Sequence, residues 1–370
     1  MKIVRATREF EDWLAKSIKV ELDDLQKKHE YMASDAFLFL RATYYRWAQL
    51  FTQNCKELKK APQILSVGDL HVENFGTWRD SEGRLVWGVN DFDEAYPLPF
   101  ANDLVRLATS AYLAETDARL ALNLSEICAE ILHGYEHGLN HGGKPFVLAE
   151  SNIELRAMAF GVLRNPTHFW QRLETQISPV QSAPTDAIRA LERQFPEKFA
   201  SYRVAKRRAG IGSLGRQRFV AIAEYRGGRI AREVKSSLPS AAFWADGTTH
   251  GATSFYEQII DHAIRCPDPY LKARGKWIAR RLAPDCSRVE LSELPQARDE
   301  RLLFNSMGRE IANVHNGSKA KMASISKFLS TLKRHWLVEA VEEMKDSVMD
   351  DWRHWRAYMA LPHPSDKKQI

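Results

Sequence analysis

Cysteine is scarce in this chain and never closely spaced. Four cysteines occur in 370 residues, at 55, 128, 266 and 286, with no CxxC pair. That argues against a disulfide-stapled scaffold or a thiolate zinc framework and predicts separate, reduced thiols. No apolar run is long enough to cross a bilayer, and the opening MKIVRATREFEDW is charged early and has no apolar signal core. A cytoplasmic enzyme of bacterial type with no membrane partner is therefore expected. There is no internal repeat and no low-complexity tract. The chain carries a net charge of +6, but no helix-turn-helix, zinc-finger or aromatic RNA-binding signature accompanies it, so nucleic acid is not the expected partner.

The composition that remains is ordinary for a globular protein, and 370 residues suit two lobes better than one small core. Helical spacing of apolar residues runs through 10–31 and 35–59 and stops at Pro62. ILSV then reads as a short strand leading into GDLHVENFG, and Asp80 to Gly83 as a hairpin turn before the strand RLVWGVNDF. Residues 102–140 read as helical, and 150–200 as helices broken by prolines. From 202 the character changes: YRVAKRR, RFVAIAEY and RIAREVK are β-like, with a hairpin turn at Arg226-Gly227-Gly228. A helix at 253–264, strands WIARRL and RVELSEL, and helices at 298–315 and 323–358 complete the order. Strand runs segregated from helix runs predict an α+β protein. The expected division is a helical catalytic lobe over 1–201, a strand-rich nucleotide lobe over 202–294, and C-terminal helices over 295–370 packing on the first.

Two constellations carry chemistry. Asp69 and Asn74 lie five residues apart just after a predicted strand, and Asp91 ends the next strand. Phosphoryl transfer needs one carboxylate to take the proton of the attacking hydroxyl, and an amide oxygen and a second carboxylate to hold Mg²⁺ on the nucleotide phosphates. Asp69 is assigned as base, and Asn74 and Asp91 as metal ligands. His71, between them, orders the loop or contacts a phosphate; a satisfied structural histidine is the alternative. GDLH followed by NDFD across a short hairpin resembles the catalytic segment of aminoglycoside-phosphotransferase-type kinases. In kinase-like folds an aspartate in the region of Asp103 braces the catalytic loop from behind.

The second constellation is Gly210-Ile211-Gly212-Ser213-Leu214-Gly215, inside a stretch (203–218) with six basic residues and no acidic one. A dinucleotide loop opens a helix; here RQRFVAIAEY follows, which is a strand. A glycine-rich hairpin between strands covers nucleotide phosphates in kinases. It is not a Walker loop, since Arg216-Gln217 stands where Lys-Ser/Thr is required. Lys235, ending the next strand, reaches the phosphates, with Glu257 on the following helix as its expected carboxylate partner. Glu233 is expected to point to the opposite strand face. His133, His137 and His141 recur at helical spacing, but Gly134, Gly138 and Gly142 weaken that helix as a metal face.

In ordinary kinases the glycine loop precedes the catalytic loop. Here the order is reversed, which predicts a circular permutation. Arg41 in FLFLRA, GDLHVENFG, NDFDEAYPLPFANDLVRLA, GIGSLG, the Lys235 strand, Glu257, the Arg280 strand and GREIANVH together resemble a bacterial family, domain of unknown function 2252. That family looks related to kinase-like phosphotransferases. It usually has Asp-Ala-His where this chain has Asp69-Leu70-His71, and glycine where it has Ala42. The resulting expectation is a two-lobed, permuted kinase-like enzyme that uses ATP and Mg²⁺ to phosphorylate a small-molecule hydroxyl. Protein nucleotidyl transfer from the same ATP site and a non-catalytic nucleotide-binding regulator are the alternatives.

Overall fold

The structure, a computed structural model, describes residues 2–118, 120–159, 165–247, 253–286 and 299–361. Four helices open the chain: α1 (Ile3–Ser17), α2 (Leu22–Ser34), α3 (Ala36–Ala42) and α4 (Tyr44–Asn54). The single helical stretch expected over 10–31 is broken at 18–21, because Glu21 N–H is drawn to Gly215 O (3.0 Å), nearly two hundred residues away in sequence. Strands β1 (Gln63–Ser66), β2 (Phe75–Arg79), β3 (Leu85–Val89) and β4 (Tyr96–Pro99) follow. The β2–β3 hairpin forms at the expected turn, where the Asp80 carboxylate accepts from Glu82 N–H (3.1 Å) and Arg84 N–H (2.9 Å).

Next come α5 (Ala101–Ala118), α6 (Leu124–Asn140), β5 (Phe146–Val147), α7 (Ile153–Ala159), α8 (Pro166–Thr175), β6 (Ile177–Pro179) and α9 (Thr185–Glu192). Asn123 and Glu126 close a capping box on α6, and Asn165 caps α8 with Pro166 in its first turn. The strand-rich part holds β7 (Arg203–Arg207), β8 (Arg218–Tyr225), β9 (Gly228–Ser236), α10 (Ala241–Ala245), α11 (Tyr256–His262), β10 (Lys272–Arg274) and β11 (Trp277–Leu282). The chain closes with α12 (Glu300–His315), α13 (Met322–Leu329) and α14 (Trp336–Met359). The strand expected at RVELSEL lies outside the described residues. The protein is α+β, and among the described residues no helix is long and apolar enough to cross a membrane.

Three antiparallel sheets form. β1 pairs β4, β2-β3-β5 make a three-stranded sheet, and β10-β11-β9-β8-β7-β6 make a six-stranded one. The large sheet therefore begins at Ile177, ahead of the change in character at 202. The β8–β9 turn has positive φ at both Arg226 (47°) and Gly227 (85°), the twist a two-residue hairpin needs. One face of the large sheet presents Phe219, Ala221, Val234, Trp277 and Ala279 to Ala187 and Leu191 of α9. On the other face, Val220, Ile222, Ala231 and Leu282 pack on Leu173 of α8. That same face carries Arg218, Glu233, Lys235 and Arg280 toward the rest of the molecule.

α6 and α12 cross so closely that a Cβ on Gly134 would sit 1.9 Å from Asn305 O, and one on Gly308 2.1 Å from Ile131 O. Gly134 and Gly138, interleaved with the histidines, thus serve helix contact, whereas Gly142 has open space around it. This crossing positions His315, whose Nε2 meets Asp103 Oδ2 (3.1 Å) and whose Nδ1 meets the Tyr135 hydroxyl (2.9 Å). Asp103, fully buried, in turn accepts from Val67 N–H (2.7 Å) and Gly68 N–H (3.0 Å). A carboxylate at the start of α5 so holds the backbone after β1 from behind, satisfying donors that burial would otherwise orphan.

Candidate functional site

After β1 the chain must turn sharply under Glu94. Gly68 does this at φ +80°, and a Cβ there would stand 2.3 Å from Glu94 O and 2.7 Å from the Tyr44 hydroxyl. Only glycine fits both the backbone and the space. Asp69 comes next. Its Oδ1 accepts from Arg106 Nε (2.9 Å) and also from Arg106 Nη2. Arg106 is fully buried between the rings of Tyr44 (5.0 Å) and Trp47 (4.9 Å), and Nη2 also donates to Leu40 O (3.0 Å). Arg106 lies one helical turn beyond Asp103, so a single face of α5 anchors both the loop backbone and its carboxylate. The sequence motif contains Arg106, yet no role for it was legible there.

Asn74 clasps the loop to the turn after β3. Its Oδ1 accepts from Asp91 N–H (2.9 Å), and its Nδ2 donates to Asp91 O (3.0 Å) and Asp69 O (3.2 Å). Its side-chain oxygen has a second lone pair for a further partner. His71 is buried, edge-on to Phe37 (6.1 Å). Arg41 is buried too, and pairs with Glu73 (2.5 Å).

Asp91 meets Lys235 across the cleft: Nζ lies 2.8 Å from Oδ1 and 2.9 Å from Oδ2. Lys235 is 2% exposed and also contacts Asp93 Oδ1 (2.8 Å), while the Asp91 side chain keeps 39% of its surface open to the cleft. Burial disfavours the Asp91 charge, but Lys235 and Arg280 outweigh it and hold the carboxyl down at about 2. Asp93 is pushed up, by burial and then by the charge of Asp91. Glu257, expected to hold Lys235, is exposed on α11. The correction is one of register: the neighbouring Tyr256 faces inward, with its ring 5.7 Å from Lys235 Nζ, and the carboxylates come from the turn after β3.

The expectation for Glu233 is also corrected. Residues two apart on a strand share a face, so Glu233 lies on the Lys235 side. It is fully buried and binds Arg218 (2.8 Å), Arg280 (2.7 Å) and Arg207. Burial opposes its charge, but these guanidinium groups hold it well below the usual carboxylate range. Arg218 also donates to Ser213 Oγ (2.6 Å), so the charged face of the sheet steers the glycine turn. In that turn, between β7 and β8, Gly210 and Gly215 have positive φ. A Cβ on Gly212 would lie 3.1 Å from Arg41 O and 3.5 Å from Asp69 Oδ2. Arg216, buried, binds Glu94 (2.9 Å).

A cavity of about 240 Å³ is lined by Asp69, His71, Asn74, Asp91 and Gly210–Ser213 among others. Nine arginines or lysines and six carboxylates face it, an excess of positive charge suited to anions. Lys28 of α2 is among them and had no distinguishing sequence signal. It is 5% exposed, and burial lowers its pKa to about 8. The unfolded chain then binds more protons between pH 8 and 10.5, so this lysine costs stability at neutral pH and the cost fades as pH rises through that window. Lys28→Met should raise stability at pH 7 by on the order of 3 kcal/mol. The gain should vanish toward pH 10.5 in urea titrations; an equal gain at both pH values would refute the burial account.

No curated protein and no solved structure matches the chain. Residues 22–159 match the model of a family described as an uncharacterized protein conserved in bacteria, domain of unknown function 2252. That segment carries Arg41, the 69–74 loop, Asp91, Asp103 and Arg106, so the chain is similar to this bacterial family on the loop side of the site, ahead of the glycine turn and Lys235.

Proposed function

We propose that the chain is an ATP- and Mg²⁺-dependent phosphotransferase with a kinase-like site assembled in permuted chain order. One observation carries the reading: the 69–74 loop, Asp91, the 210–215 turn and Lys235, far apart in sequence, meet in one cleft, with Gly212 against Asp69 and Lys235 on Asp91. On this reading the acceptor hydroxyl gives its proton to Asp69 Oδ2 while its oxygen bonds the γ-phosphorus. The bond from that phosphorus to the β–γ bridging oxygen breaks, and ADP leaves with the electron pair. Arg106 holds Oδ1 so that Oδ2 is aimed. Lys235, retained by Asp93, turns its charge to the phosphates.

Among the described residues no three His, Cys, Asp or Glu side chains are grouped to hold a metal. The donors fit Mg²⁺ arriving with the nucleotide, since this ion keeps waters and phosphate oxygens as ligands. Asp91, open to the cleft, and the second lone pair of Asn74 Oδ1 would hold it. When bound, it would neutralise charge on the phosphate oxygens.

Thermal unfolding with ATP, with ATP plus Mg²⁺ and with GTP tests this. Nucleotide at a hundredfold excess over Kd should stabilise the native state by about 2.7 kcal/mol. The rise should need Mg²⁺ and should disappear in Asp91→Ala. No rise with any nucleotide at millimolar concentration would sink the proposal. Transfer of an adenylyl rather than a phosphoryl group, seen by intact mass, would keep the site and change the reaction.

A further inference from the structure

We propose that Lys28 forms an oxyanion subsite in the cavity which, if the phosphotransferase reading holds, seats a phosphate or carboxylate group of the small-molecule acceptor.

The argument starts from what surrounds the ammonium. The charges acting on it most strongly are Glu11, Arg216, Glu94 and Asp69. Each of these carboxylates already has a partner. Glu11 is bound to His29 (2.6 Å), Glu94 to Arg216 (2.9 Å) and Ala241 N–H (2.5 Å), and Asp69 to Arg106. Asp24, one turn earlier on α2, is bound to Arg208 (2.6 Å). Among the described residues no ion pair reaches Lys28, and the Tyr45 ring lies 5.9 Å from its ammonium. A buried cation with no carboxylate in direct contact is costly, and this one borders a cavity. A bound oxyanion would complete it.

The position selects the acceptor over the nucleotide. Tyr45, the ring beside Lys28, follows Tyr44, whose ring lies 5.0 Å from Arg106, the guanidinium that holds Asp69, and the charge of Asp69 reaches the ammonium. Lys28 is therefore tied to the side of the cavity where the proton-accepting carboxylate stands. The helix that carries it is also tied to the glycine turn. Gly215 O accepts from Glu21 N–H, and Lys206 binds Glu21 (2.9 Å). An anion drawn to Lys28 would thus be held by the same helix that clasps the cover of the site.

Titration calorimetry with inorganic phosphate, and separately with acetate, on protein saturated with Mg²⁺ and a non-hydrolysable ATP analogue tests the subsite. Phosphate or acetate should bind wild type without displacing the nucleotide, and the stronger of the two identifies the acceptor's group. Lys28→Met should weaken that binding at least tenfold and leave nucleotide affinity within twofold, whereas Lys28→Arg should retain it. In wild type alone the affinity should fall between pH 8 and 10 as the ammonium loses its proton; Tyr45, Glu11, Glu94, Asp69 and Arg216, which face or act on it, are present in both proteins. Competition between phosphate and nucleotide, or unchanged anion binding in Lys28→Met, would overturn the proposal. Failure of the nucleotide analogue to bind, with Lys28-dependent phosphate binding intact, would instead sink the phosphotransferase reading and leave the anion site standing.

Discussion

Replacing Asp69 with asparagine should lower phosphoryl transfer by roughly 10²–10⁴-fold, the range lost with a general base, while nucleotide binding persists. The geometry gives the two oxygens separate work. Oδ1 is consumed by Arg106, and Oδ2 faces Gly212 and the cavity. Asparagine keeps an oxygen for Arg106 and loses the proton-accepting site, so the base is tested with the least disturbance to the loop. Misplacement of the loop alone would also slow turnover, but it would weaken nucleotide binding as well, because Asn74 ties the loop to Asp91. Activity measured beside affinity for the ATP analogue separates the two. A rate within tenfold of wild type would mean that Asp69 is not the base.

The largest stability loss is expected at Glu233. Removing one partner of a buried ion pair costs about 3–5 kcal/mol, and here one carboxylate serves Arg207, Arg218 and Arg280 in the interior of the large sheet. Against a total of about 5–15 kcal/mol for a typical domain, Glu233→Ala should remove about a third or more of the stability. Glu233→Gln, which keeps an acceptor oxygen and the shape, should fall near the lower end of the loss. Glu257→Ala is the matched control. Exposed on α11, it should change stability by no more than about 0.5 kcal/mol. Urea midpoints of the three variants decide it, and equal losses at 233 and 257 would contradict the buried cluster.

Local order was legible in the residues. The Asp80–Gly83 and Arg226–Gly227 hairpins, the strand on each side of the glycine turn and the helices after 100 and after 300 follow from turn chemistry and spacing acting over a few residues. Partnerships were not. Sequence spacing nominated Glu257 for Lys235 because a helix follows the strand, but which residue of that helix faces inward depends on how α11 lies on the sheet. It turns Tyr256 in and leaves the lysine to Asp93. Two helices brace the catalytic loop. α3 reaches it through Arg41–Glu73 and α12 through His315–Asp103.

The amino-acid sequence by itself determined the α+β order of elements, the loop of Asp69 and Asn74, the strand that leads to Asp91 and the glycine-rich hairpin, since each is written in residues that are neighbours along the chain. Only the tertiary structure decided the charge pairing: Arg106 on Asp69, three arginines on Glu233, Lys235 on Asp91, and, among the described residues, Lys28 with no carboxylate in direct contact. The physical reason is that a buried charge is satisfied by whatever the fold brings within about 3 Å of it, and that neighbour has no fixed distance in sequence.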